Sequence, residues 1–310
     1  MATSTPVRAP ERTAAPRRPV ARAPKRHRSD RTFLLYLLPA LVLFTLAITL
    51  PALMGIFFSF TDSIGFGDWR FIGLTNYAAL FSDPAILASY GFTVGFALVT
   101  VLLVNVVAFL LSIALTAQIR GKVALRAVFV LPMVVSGIII AFVFNFLFSN
   151  SLPAFAESVG ATPLASSMLA DPDLAWIAIV VVTAWQAVPS ALLIYIAGVL
   201  SIPGDVYEAA ALDGASAWGQ LRSITLPLVA GYVLINLVIG FKNFLNAYDI
   251  IVGLTDGGPG TSTRSVAMTI FSGFTSGDYA YQMANATIFF LIALVIALVQ
   301  LRVSRGKAAF

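Results

Sequence analysis

Six stretches of this chain are long and apolar enough to cross a bilayer, and that narrows the folds open to it. A spanning helix needs about 20 predominantly apolar residues. Phe33–Phe60, Tyr90–Leu115, Val128–Phe148, Leu174–Leu200, Leu226–Leu254 and Ala284–Leu301 each come close to or exceed that length. The first is too long for a secretory leader and lacks a small-residue cleavage site before the next polar loop. Pro39, Pro51, Pro132 and Pro189 fall inside runs and predict local kinks, which membrane helices tolerate when neighbours re-satisfy the backbone. Composition agrees: 59% of the 310 residues are hydrophobic and 11% charged, where soluble domains carry about twice that charge. The expected fold is an all-α polytopic membrane protein with six transmembrane helices.

Residue inventory then removes whole classes of chemistry. There is no cysteine, so disulfides, zinc-thiolate sites, iron–sulfur clusters and thiol nucleophiles are excluded. The single histidine, His27, sits in a basic tail, which leaves no histidine metal site and no Ser–His triad. The net charge of +5 does not point to nucleic acid, because its distribution is that of a membrane protein.

Lys and Arg collect on one side of the runs. Arg8, Arg12, Arg17, Arg18, Arg22, Lys25, Arg26, Arg28 and Arg31 precede the first; Arg120, Lys122 and Arg126 fill the second connection; Arg222 lies in the fourth; Arg302, Arg305 and Lys307 follow the last. The other connections lean acidic, with Asp62, Asp68 and Asp83, then Glu157, Asp171 and Asp173, then Asp256 and Asp278. Both termini are therefore expected in the cytoplasm, which six alternating spans require. Residues 1–31, rich in Pro, Ala and Arg, read as a disordered basic tail near anionic lipid. A spanning domain occupies 32–304 and a short cytoplasmic tail 305–310.

One cytoplasmic connection, 201–227, is built differently. It contains YEAAALDGASAWGQLRSITLP, Tyr207 to Pro227. Asp205 with Glu208 three residues on suggests a cap and a pattern related to the capping box. Ala209, Ala210 and Ala211 favour helix and present little bulk. Gly214 permits a positive φ and a sharp reversal, Asp213 is placed to cap a second helix over 216–224, and Pro227 is placed to start the fifth span. A helix lying on headgroups would be rich in Lys and Arg, whereas here Asp205, Glu208 and Asp213 oppose a lone Arg222. An acidic, small-faced helix suits a protein socket better.

The ordered set Glu208-Ala209-Ala210, Gly214, Ile224 and Leu226-Pro227 resembles the EAA loop of ABC-importer permeases. Tyr248-Asp249 running into LTDGGPGTSTRSVAMTIF (Leu254–Phe271) is similar to the Gly-Gly-Pro segment of their carbohydrate branch, and FIGLTNYAALFSDP (Phe71–Pro84) to the outer loop after the first span. The chain looks like the subunit related to the larger permease of maltose-type importers, without its extra spans and outer domain. It departs at Leu221, where an aromatic is usual, and at Asp256, where a third glycine is common. The resemblance implies a cell-membrane permease of a bacterium or archaeon that carries a sugar inward. It also implies a second permease, two ATPase subunits holding ATP and Mg, and an extracytoplasmic binding protein, with no cofactor on this chain. Glu208, Ala209, Ala210, Asp213, Gly214, Ile224, Leu226 and Pro227 would then couple to the ATPase.

Ionisable and amide groups inside spans are costly and mark candidate paths. Lys242, Asn246 and Asp249 are spaced i, i+4, i+7, which would stack them on one helix face beside Asn243. Lys242 and Asp249 either pair along this stripe or face a water-filled cavity. Trp185 and Gln186 supply an aromatic face and an amide suited to a sugar. Asn105 and Asn145 fit helix ties as well as a path. No G-x-x-x-x-G-K-[ST] loop occurs, so the chain is not expected to hydrolyse ATP. Its rival reading, an ion-gradient-driven secondary transporter, usually shows paired repeats and broken helices in matching halves. No convincing repeat is visible, and an intramembrane enzyme would need a second acid beside Asp249.

Overall fold

The structure, a computed structural model, describes residues 29–117, 119–161 and 165–305. The basic stretch 1–28 and the segment 306–310 lie outside the described residues. Two compact units divide the chain, Met1–Ala52 and Leu53–Phe310. In the first, helix begins at Ser29, inside the stretch expected to be unstructured, and carries Pro39 without breaking. The apolar helix α1 (Leu35–Phe58), which continues past Ala52, has no buried residue in its most apolar window.

In the second unit α2 (Thr75–Ser82) leads into α3 (Pro84–Thr116), whose N-cap Asp83 accepts from the amides of Ala85 and Ile86. Then come α4 (Lys122–Val130), α5 (Gly137–Ser158), which includes a wider turn at Leu147–Ser151, and α6 (Pro172–Leu200). The next pair is α7 (Gly204–Leu212) and α8 (Ala217–Leu228), followed by α9 (Ala230–Leu245) and α10 (Asp249–Thr255). The chain closes with α11 (Val266–Thr275) and α12 (Tyr279–Arg305).

Five of these helices are long and apolar enough to cross a membrane, and there are six if α8 and α9, bent by 63° at Val229, form one span. Among the described residues, extended pairing is limited to one bridge, Thr61 to Phe71.

Helix α3 lies along α6, α9 packs on α3, and α10 packs on α5. Ala97, Val101, Val104 and Ala108, spaced as one helical stripe, are buried against an α6 face that includes Ile179, Val182 and Leu192. Lipid tails are as apolar as these side chains, so close packing and interhelical hydrogen bonds must supply the association. Several such bonds are present. Tyr195 Oη donates to Asn105 Oδ1 at 2.5 Å, Asn236 Nδ2 to the Ala191 carbonyl at 3.1 Å, Asn145 Nδ2 to the Leu254 carbonyl at 2.6 Å, and Tyr90 Oη to Asn285 Oδ1 at 2.9 Å. Asn105 and Asn145 are thus occupied as helix ties.

Two expected spans differ in detail. The run Val128–Phe148 is not one helix: α4 ends at Val130, Leu131–Val134 forms a 3-10 turn, Val135 is extended, and α5 starts only at Gly137. Pro132 lacks the N–H needed to continue α4 and sits in the first turn of the 3-10 segment. The run Leu226–Leu254 is broken twice. Pro227 does not begin the fifth span but lies near the end of α8, directly after a widened turn at Leu221–Thr225, and the pair produces the bend at Val229. The second break comes at Asn246, whose Nδ2 donates to the Lys242 carbonyl at 2.9 Å, the acceptor its own backbone amide would use in a continuing helix.

Candidate functional site

The connection after α6 carries a small helix capped at its C-terminus and supported by little beneath it. No residue of α7 is buried, so tertiary packing within this chain does not explain it. Local chemistry does. Gly214 adopts φ +78°, its amide donates to the Ala211 carbonyl at 3.1 Å, and the Ala215 amide reaches back to the Ala210 carbonyl at 2.9 Å. Those two bonds are the pattern of a Schellman C-cap. Ser216 then caps α8 by accepting from the Gly219 amide at 3.2 Å. Tyr207 Oη and Thr225 Oγ1, 2.9 Å apart, tie α7 to α8.

The expected caps move by a residue or more. Asp205 is not the N-cap; Pro203 holds that position without a side-chain bond, and Asp205 lies in the first turn, where its charge favours the helix dipole. Asp213 is the C-cap of α7 rather than the N-cap of α8. Glu208, Ala209, Asp213, Gly214, Leu226 and Pro227 are exposed, while Ala210 and Ile224 are half-buried. Leu212, at 90% exposure, is an apolar side chain that the chain itself leaves uncovered. Beside this element a groove of about 590 Å³ runs between Tyr207, Trp218, Leu221 and Thr225 and the ends of α3 and α6.

A second feature is a polar cleft of about 380 Å³. One wall is the α6 face Thr183, Gln186, Ala187 and Ser190; the other is the end of α9 and the start of α10, with Asn243, Asn246, Tyr248 and Asp249. Four of the path candidates, Gln186, Asn243, Asn246 and Asp249, therefore meet here. They do so across a helix break rather than along a stripe, because α9 stops at Leu245. Lys242 and Trp185 are not among the lining residues. Lys242 is exposed, and the ion pair found among the described residues joins Arg70 to Asp62, not Lys242 to Asp249. Trp185 packs edge-on against Phe144 at 5.4 Å.

Gln186 Nε2 donates to the Val135 carbonyl at 3.0 Å, which anchors the extended residue between α4 and α5. Thr183 is 5% exposed, and its Oγ1 is a buried hydroxyl with no partner. An orphaned hydroxyl costs about 1–3 kcal/mol and is tolerated where something else uses it. Thr183 and Ser190 escaped the sequence reading. Their i−3 and i+4 spacing from Gln186 is the signal that finds them, once Gln186 is taken as a cleft residue. Amides, hydroxyls, one carboxylate and the Tyr248 ring form a lining that can donate to and accept from a polyhydroxy molecule.

A multi-helix membrane fold with a capped, unsupported helix on one connection and a polar cleft between α6 and the α9–α10 break has the features of a transport subunit. Residues 111–306 match the family of binding-protein-dependent transport system inner membrane components, and the chain belongs to it. It is 32% identical to the probable starch degradation products transport system permease protein AmyD of Thermoanaerobacterium thermosulfurigenes, over 88% of this chain and 94% of that one. It is 33% identical to the multiple sugar-binding transport system permease protein MsmF of Streptococcus mutans, over 87% and 94%. A crystal structure of a bacterial ABC transporter involved in alginate import shares the fold, with a TM-score of 0.77 at 22% identity, over 90% of this chain and 97% of that one.

Proposed function

We propose that this chain is one permease half of an ATP-driven importer, that it carries a sugar or oligosaccharide inward, and that α7 is the element through which a separate ATPase drives it. The observation that carries the reading is α7 itself, capped at its C-terminus, tied to α8 and without a buried residue. A rigid element of this kind transmits rigid-body motion to whatever holds it. With α8 and α9 as one span the chain crosses six times, a reading the helix lengths support, and the bias of Lys and Arg supports both termini and the α7 connection in the cytoplasm. Two ATPase subunits hold ATP and Mg, a second permease completes the path, and an extracytoplasmic binding protein delivers cargo; the family description, a binding-protein-dependent transport system, supports the last of these. The printed names of AmyD and MsmF, starch degradation products and multiple sugars, support a carbohydrate cargo.

The cleft then serves as the path. Asn246→Ala combined with Gln186→Ala should raise the KM for uptake of labelled malto-oligosaccharides into proteoliposomes by about tenfold, since each lost polar contact is worth on the order of 0.5–1.5 kcal/mol. Asn105→Ala should leave KM unchanged and lower the amount of folded protein. Uptake that follows an imposed ion gradient and ignores ATP would overturn the reading in favour of a secondary transporter.

A further inference from the structure

Helix α4 and the 3-10 turn that follows it present their surface the wrong way round for water. Val123, Val128 and Leu131 stand 75%, 61% and 62% exposed, while Lys122 and Arg126, one turn apart, are half-buried on another side. Arg126 Nη2 donates to the Leu115 carbonyl at 2.8 Å, at the C-terminal end of α3, and its Nε is buried without a partner. Arg120 is exposed just ahead of the turn at Gly121.

No carboxylate occurs between Asp83 and Glu157; the three charges in that interval are Arg120, Lys122 and Arg126. None of them has an ion-pair partner among the described residues. The helix also has a fixed depth. It joins the end of α3 to the start of α5, and both of those are long and apolar enough to span.

We propose that α4 is an interfacial helix that, with the 3-10 turn after it, seats Val123, Val128 and Leu131 among acyl chains and holds an anionic phospholipid headgroup with Arg120, Lys122 and Arg126. A basic set beside an exposed apolar face is the pattern that binds anionic membrane surfaces. A free phosphate would use the same cations but would leave the valines and the leucine in water. A protein partner would need acidic and apolar groups together. The lipid explains the charge and the apolar face at once.

The test uses the full chain in detergent, titrated with phosphatidylglycerol and read by native mass spectrometry. Phosphatidylglycerol should be retained over phosphatidylcholine, and the double variant Arg120→Gln, Lys122→Gln should lower that retention by roughly tenfold. Arg222→Gln, which removes a cation from α8, should leave it unchanged. Equal retention in the double variant, or displacement of the lipid by millimolar inorganic phosphate, would overturn the proposal. A second measurement places bimane on Val128→Cys in nanodiscs; lipids bearing a nitroxide near the headgroup should quench it. A folded variant that is not quenched has α4 covered by protein, and the lipid assignment fails.

Discussion

Gly253→Ala should cut uptake by more than tenfold and destabilise the inserted chain, and Ala141→Gly should restore both in the double variant. A Cβ at Gly253 would fall 2.6 Å from Ala141 Cβ, 3.1 Å from Ile138 Cδ1 and 3.5 Å from the Ile138 carbonyl oxygen. Ala141 has no rotamer with which to yield, so the backbones of α5 and α10 must separate. Two effects oppose each other here. Alanine is a better helix residue than glycine by roughly 0.5–1 kcal/mol, whereas overpacking a close contact costs about 1–3 kcal/mol. The packing cost wins.

The functional loss follows from what α10 carries. Asp249 and Ile250 line the polar cleft at one end of α10, and Asn145 holds the Leu254 carbonyl at the other. Thermal unfolding of the detergent-solubilised chain and uptake into proteoliposomes check the two halves of this prediction. Gly253→Ala at full stability and full uptake would show that the α5–α10 contact does not fix the cleft.

Gly214→Val should reduce cargo-stimulated ATP hydrolysis by the assembled importer at least tenfold while leaving insertion intact. The backbone at Gly214 sits at φ +78°, and a Cβ placed there meets nothing within 4 Å. The penalty is therefore conformational: a left-handed residue with a Cβ costs roughly 1–2 kcal/mol, and a β-branched one more. Valine would push the residue out of that region and open the two bonds that close α7, from Gly214 to Ala211 and from Ala215 to Ala210. Asparagine visits the left-handed region readily, so Gly214→Asn should keep most of the activity, with alanine between the two. If all three substitutions behaved alike, a contact at Gly214 rather than its conformation would control coupling.

The coupling connection was legible because its devices are local. A glycine, a serine and three alanines state where α7 ends and α8 begins; the identity of the caps shifted, and α8 runs on past Pro227, which was expected to open the fifth span. Pro203 and Gly204 open the helix two residues ahead of where Asp205 would, since Pro203 is already extended at ψ 140°.

The cleft was half legible. Asn243, Asn246, Asp249 and Gln186 could be nominated as polar groups in apolar runs, but their geometry could not, because the second break of the fifth run carries no helix-breaking residue. Nothing between Phe241 and Val252 is a proline or a glycine. The stop at Asn246 arises from a side-chain amide competing with the backbone for the Lys242 carbonyl, and from α10 turning to pack on α5. The close approach at Gly253 belongs to that same tertiary contact. Thr183 and Ser190 went unnoticed because hydroxyls in membrane helices usually bond within their own turn, as Ser190 does to the Ala187 carbonyl at 2.8 Å. Thr183 is notable only once its hydroxyl is seen to lack a partner.

A cross-link from Ala210 tests whether α7 meets the ATPase. The chain contains no cysteine, so Ala210→Cys gives a single reactive site on α7 without further engineering. Membranes containing the full transport assembly, treated with a short thiol cross-linker, should yield one adduct with an ATP-hydrolysing subunit, and its yield should change when ATP and Mg are added. An inserted Ala210→Cys chain that forms no such adduct, with Glu208→Cys and Leu212→Cys equally silent, would leave α7 without a motor and contradict the account.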